Sequence, residues 1–285
     1  MENIVALVTP FCSDMSVDVN KLKEIVRYHI DKKTNKILIL GTTSESPTLS
    51  EDEKRLVINT VCNEAKDKIK IIGGVSGNSL TLVSKEISLY DGYDIDELLV
   101  ITPYYNKSSK EGIYNYFKTI SAMTDKKIII YDVPARTNNP IDLEVLKRLS
   151  LIPNIIGIKE ATSDYLRILK VSECRSDNFK IYCGDDIALP IFMILGCDGV
   201  ISVMSNVISD IISKILSTYD NGEALESISL FMKYKDLINS VFLDVNPIGI
   251  KYLMDVKGMS VGKLRLPLTW PTEIHQGEIL KSLRS

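Results

Sequence analysis

Histidine is almost missing from this chain: His29 and His275 are the only two in 285 residues. Both sit among residues of helical pattern rather than after an apolar run, so packing or surface roles are expected of them. Acid–base chemistry then belongs to other side chains. Cysteine is sparse and unpatterned: Cys12, Cys62, Cys174, Cys183 and Cys197 form an odd set with no CxxC pair and no histidine at zinc-ligand spacing. That excludes a disulfide scaffold and a finger-type metal site, and it fits reduced thiols in a cytosol. Long apolar runs are lacking too. None approaches about 18 residues, and MENIVALVTPF is too short an apolar start for a secretion signal. A soluble, cytoplasmic protein is expected. The 34 basic and 37 acidic residues are scattered, for a net charge of −3, so neither nucleic acid nor membrane is an expected partner.

What is present suits a large packed core, with 45% hydrophobic and 25% charged residues. Eight short β-branched runs recur: IVALVT (4–9), KILILG (36–41), KIIGGV (70–75), ELLVIT (97–102), KIIIYDV (127–133), NIIGIKE (154–160), FKIYCG (179–184) and GVISVM (199–204). Amphipathic stretches separate them, one of which opens with Ser50 three residues before Glu53, the pattern of a capping box. Strands that are apolar on both faces and alternate with helices build a parallel sheet, and eight such units close into a (β/α)₈ barrel. A doubly wound open sheet is the alternative, but no GxGxxG follows any strand: Gly73 and Gly74 lead into VSGNS at the wrong spacing and without the acidic partner downstream. Helical patterns alone follow residue 205, with no linker before them. The expected organisation is therefore a barrel domain over 1–220 and a C-terminal helical extension over 221–285, packed on the barrel.

Barrel enzymes place their chemistry at the C-terminal strand ends. Four runs end unusually here, in GTTSESPTL (41–49), TPYYN (102–106), YDVPARTN (131–138) and GIKEAT (157–162). Side chains alternate along a strand, so Lys159 shares a face with Gly157 while Glu160 takes the other, and Tyr131 is separated in the same way from Asp132. On this reading Gly157 leaves room for a ligand below Lys159, and Asp132 is structural. A lysine attacks a carbonyl only when neutral, yet its unperturbed pKa is about 10.4, so burial away from carboxylates would be needed to activate it. The pattern alone leaves open a second possibility, a lysine that snorkels from the strand end to water.

Taken together these segments resemble the dihydrodipicolinate synthase family of the pyruvate-lyase barrels. The likeness runs nearly end to end and includes EGIYNYF (111–117), GDD (184–186), GVISV (199–203), NPI (246–248) and LRLPL (264–268). It implies a lyase that condenses pyruvate, held as a Schiff base on Lys159, with L-aspartate-4-semialdehyde, and that needs neither cofactor nor metal. It further implies that Tyr131 transfers protons, that Thr43 links it in a relay, and that Tyr105 reaches across from a neighbouring subunit, so a homo-oligomer is expected, a tetramer before a dimer. Thr42 is matched to a pyruvate contact, Arg136 to the arginine that holds the semialdehyde carboxylate, and Gly184 and Ile201 to the lining near the imine. Ser44 departs from the family's usual glycine; a left-handed backbone there would cost a serine about 1–3 kcal/mol. Pro47 and Asp132 depart as well. Ser46, Asn78 and Tyr104 match the family's lysine-feedback site whereas Glu51, Lys54 and Leu82 do not, which implies little inhibition by lysine. Two rivals remain beside it: an N-acetylneuraminate or 2-keto-3-deoxy-sugar-acid lyase, disfavoured by Arg136, and a keto-acid-binding barrel without turnover, disfavoured by the complete relay.

Overall fold

A computed structural model describes residues 1–95 and 97–284. Strands form at all eight apolar runs: β1 (Glu2–Ala6), β2 (Lys36–Ile39), β3 (Lys70–Val75), β4 (Glu97–Ile101), β5 (Lys127–Asp132), β6 (Ile155–Glu160), β7 (Lys180–Cys183) and β8 (Gly199–Ser202). They follow one another in chain order and close into a barrel, so the chain is a (β/α)₈ barrel with further helices after β8. The chain divides into two compact units: Ile71–Ile201 with Met1, and Glu2–Lys70 with Ser202–Ser285.

The first unit carries β4 to β7 and most of β3 and β8, with α3 (Leu80–Ser88), α4 (Lys110–Ser121), the one-turn α5 (Pro134–Thr137), α6 (Leu143–Leu149), α7 (Tyr165–Ser172) and α8 (Leu189–Ile194). The successive ladders are parallel. Consecutive residues such as Ile128, Ile129 and Ile130 are all fully buried, which is why these strands read as continuous apolar runs rather than alternating ones. The Gly73–Gly74 pair proves to be a packing device. A Cβ on Gly73 would come within 2.6 Å of the Tyr90 ring, and the Tyr90 hydroxyl donates to the Gly74 carbonyl at 2.6 Å. The pair admits an aromatic ring, not a phosphate.

The second unit holds β1 and β2, which pair in parallel, with α1 (Val19–Asp31), α2 (Glu51–Ala65), α9 (Ser205–Asp220), α10 (Ala224–Val241), α11 (Ile248–Val256) and α12 (Glu273–Arg284). The capping box opens α2 as expected, Ser50 Oγ accepting from the Glu53 amide and Glu53 Oε2 from that of Ser50. Helix α9 opens on a polar pair. Ser205 and Asn206 are polar yet fully buried: Ser205 Oγ donates to Asn3 Oδ1 at 2.7 Å and Asn206 Nδ2 to the Ala6 carbonyl at 2.8 Å. His29 is buried with Nδ1 3.0 Å from Thr34 Oγ1, and burial depresses its pKa to about 3, so it packs as a neutral ring. Among the described residues no helix is long and apolar enough to cross a membrane.

Candidate active site

The ladder between β5 and β6 pairs Tyr131 with Lys159 and Asp132 with Glu160. Residues opposite one another on neighbouring strands point the same way, so these are two pairs on two faces. Arg167 of α7 bonds both Asp132 and Glu160, which identifies their face as the one turned to the helices. Tyr131 and Lys159 therefore take the interior face, as alternation predicts. Lys159 is only 5% exposed, and its amine stands over the Tyr131 ring, 4.4 Å from the centroid. The lysine does not snorkel.

The same ladder continues through Tyr182 of β7 to Gly199 of β8, which places the buried Tyr182 beside Lys159 and, two residues past Gly199, Ile201 on the same face. Tyr182 was not among the residues expected from sequence. Only the register between strands, which no single run of residues carries, brings it next to the lysine. Gly157 plays a different part from the one expected. A Cβ there would lie 2.5 Å from the Lys180 carbonyl oxygen, so its bareness serves the approach of β7, not a ligand. The glycine that makes room for the lysine is Gly184, where a Cβ would press within 2.9 Å of Lys159 Cγ.

Two further residues of this unit lie beyond the strand ends. Arg136 is exposed on α5, which Pro134 opens and Asn138 ends in the left-handed conformation (φ 47°). Tyr105 has φ 71°. The residues on either side of it are tied down by amides, Asn106 Nδ2 donating to the Asn78 carbonyl at 2.7 Å and Asn78 Nδ2 to the Tyr104 carbonyl at 3.3 Å. Tyr105 as a whole is 94% exposed.

In the other unit, β2 leads into a 3₁₀ turn, Thr42–Ser44, and the strain foreseen at Ser44 does not arise. The left-handed residue is its neighbour Glu45 (φ 54°, ψ 31°). Ser44 instead uses its hydroxyl, donating to the Leu7 carbonyl at 2.7 Å, while its own carbonyl accepts from Thr9 Oγ1 at 2.8 Å. Thr43 is buried and its hydroxyl oxygen accepts from Asn246 Nδ2 at 2.9 Å, whereas Thr42 is half-buried. Glu45 is held by the fully buried Lys251, whose amine lies 2.6 Å from Oε1 and 4.2 Å from the Phe11 ring centroid. Burial outweighs the carboxylate and lowers the Lys251 pKa to about 8. Arg265 completes the cluster, its amide donating to Glu45 Oε2 at 2.9 Å and its guanidinium to both carboxylate oxygens of Glu53. That contact holds Glu53 down at about 2.

An amine buried on an aromatic ring inside a (β/α)₈ barrel, free of carboxylates on its own strand face, is the equipment of a Schiff-base-forming lyase. The chain belongs to the dihydrodipicolinate synthetase family, which it matches over residues 1–285. It is 36% identical over 278 residues to a 4-hydroxy-tetrahydrodipicolinate synthase of Clostridium novyi, covering 98% of this chain and 93% of that one. Its fold superposes with a TM-score of 0.95 on dihydrodipicolinate synthase from Aquifex aeolicus, at 33% identity and over 99% and 97% of the two chains. The chloride-inhibited enzyme of Acinetobacter baumannii, solved in complex with pyruvate, gives the same score at 34% identity, again over 99% and 97%.

Proposed function

We propose that this chain is a cytoplasmic 4-hydroxy-tetrahydrodipicolinate synthase, serving the biosynthesis of diaminopimelate and lysine. The observation that carries the reading is Lys159, buried on the Tyr131 ring with its stem against Gly184. Its amine adds to the C2 carbonyl of pyruvate, and loss of water leaves an imine. Tyr131 passes the protons of that dehydration. Removal of a methyl proton turns the imine into an enamine, whose carbon attacks the aldehyde of L-aspartate-4-semialdehyde. The semialdehyde's own amine then closes the ring and displaces Lys159. Arg136, exposed on its one-turn helix, suits a mouth position from which a guanidinium grips the semialdehyde carboxylate. Gly184 and Ile201 line the imine, and the scheme uses no metal and no cofactor.

The threonine roles are better exchanged from the order expected from sequence. Thr43 is buried and fixed by Asn246, which suits a rigid pyruvate contact; Thr42 is the more open hydroxyl and the one accessible to a relay partner. That partner is Tyr105 of a second copy, and a ring this exposed on so tightly held a backbone supports that use. The exposed apolar residues Tyr165, Leu166 and Leu169 of α7 and Ile194 of α8, two helices that touch, support a further contact between copies and with it a tetramer.

Pyruvate and aspartate semialdehyde, coupled to the reductase that consumes the product, test the acceptor: turnover is expected, and a pyruvate adduct without turnover would sink the synthase assignment. Thr42→Val is expected to lower kcat more than it raises the KM for pyruvate, and Thr43→Val the reverse.

A further inference from the structure

Behind the reacting pair stands a second pair that the chemistry above does not use. Asp132 and Glu160 follow Tyr131 and Lys159 directly in sequence, are register partners, and are both fully buried. Among the described residues a single cation serves them. Arg167 donates from Nε to Glu160 Oε2 at 3.0 Å and from Nη2 to Asp132 Oδ2 at 2.9 Å. Its Nη1 donates to the Ile141 carbonyl at 2.6 Å, while the Ile141 amide donates to Asp132 Oδ2 at 2.9 Å. The remaining oxygens, Asp132 Oδ1 and Glu160 Oε1, are buried and accept no hydrogen bond among the described residues.

Two ionised carboxylates and one guanidinium would leave an uncompensated negative charge in the interior, together with two unsatisfied acceptors. One proton removes both faults at once. A protonated carboxyl is a donor as well as an acceptor, and the two orphaned oxygens belong to side chains adjacent on one face. We propose that Asp132 and Glu160 share one proton at neutral pH, and that this proton with Arg167 forms a clamp that fixes the ends of β5 and β6, holding Tyr131 and Lys159 in register and anchoring the loop that bears Arg136.

The groups facing the pair agree with this. From α7 and its cap come Arg167 and Asp164; from β7 comes Cys183, the register partner of Glu160, a buried thiol that stays neutral. Asp164 adds only further negative charge. Burial raises both carboxyls, and the Asp132 carboxylate adds to the effect on Glu160, which is pushed up to about 8. Asp132, Glu160 and Arg167 are positioning residues: they act through Tyr131 and Lys159 and touch no substrate. Their effect on catalysis rests on the proposed role of Lys159, whereas the shared proton does not.

The test separates the two. In protein labelled at Asp and Glu carboxyl carbons, one carboxyl resonance is expected to titrate well above the ordinary range, and Glu160→Gln to abolish it. If every carboxyl titrates in the ordinary range, the shared proton is refuted whatever the enzyme does. In borohydride trapping with pyruvate, Arg167→Met is expected to slow adduct formation at least tenfold, with Arg167→Lys recovering part of the rate. A folded Arg167→Met protein that traps pyruvate at the parent rate overturns the clamp. If that variant does not fold, Asp132→Asn decides by the same titration and by the pH profile of trapping. Its alkaline limb should shift by about a pH unit or more if the pair sets register, and an unmoved profile refutes the positioning role.

Discussion

Lys159 and Lys251 are both buried lysines, and the contrast between them shows what burial alone does not decide. Lys251 is sealed against Glu45 at 2.6 Å, with the Lys263 carbonyl at 3.2 Å and the Phe11 ring centroid at 4.2 Å around the same amine. Lys159 leans on the face of Tyr131 and shares its side of the sheet with Tyr182, Ile201 and a glycine. One amine has its charge answered by a fixed anion and so serves as a tie between segments. The other also stands over a ring, but the carboxyls next to it on β5 and β6 take the opposite face, so no ion pair has to break before its nitrogen reacts. The carboxylate beside Lys159 in sequence is kept from it by alternation and occupied by Arg167.

The widest separation between the two should come from truncating each. Lys159→Ala is expected to lower kcat/KM by about 10³-fold or more and to abolish the borohydride-trapped adduct, with little change in the melting temperature. Lys251→Met should do the opposite. It leaves Glu45 buried without its cation, a loss of about 3–5 kcal/mol by denaturant unfolding, while the adduct on Lys159 still forms. Adding Glu45→Gln should restore part of that stability, and a double variant no better than the single would mean that the pair is not the tie described here. The smallest effect concerns the partly exposed edge of the same cluster. Glu53 has a folded pKa of about 2 against an ordinary 4.5. The unfolded chain therefore binds more protons between these values, and the stabilisation by Arg265 is complete above pH 4.5 and lost as pH falls towards 2. Glu53→Gln should accordingly flatten the acid limb of a melting-temperature profile, leaving the region above pH 5 lower but parallel.

The barrel was legible because its eight strands are buried on both faces and spelled in β-branched residues, a signal that needs no partner to be read. Alternation was equally local, and it placed Lys159, Tyr131, Glu160 and Asp132 on their proper faces. What escaped depends on pairs distant in sequence. Tyr182 needs the β6–β7 register, and the exchange of roles between Gly157 and Gly184 needs to know which carbonyl crosses which Cα. At the turn after β2 the conditional strain on Ser44 is avoided by one residue. The left-handed position fell on Glu45, where the buried Lys251 and the Arg265 amide anchor the side chain, and Ser44 gained a bond to Leu7. Arg167 sat in plain view on an amphipathic helix, with nothing in its neighbours to say that its guanidinium turns inward.

Tyr105 projects its ring into solvent from a backbone already committed to one shape. Little ordering cost then remains for whatever receives that ring, but the receiver must be present. Under the proposed relay, specific activity becomes a property of the solution rather than of the polypeptide: it obeys mass action, fades on dilution below the dissociation constant of the assembly, and returns on concentration.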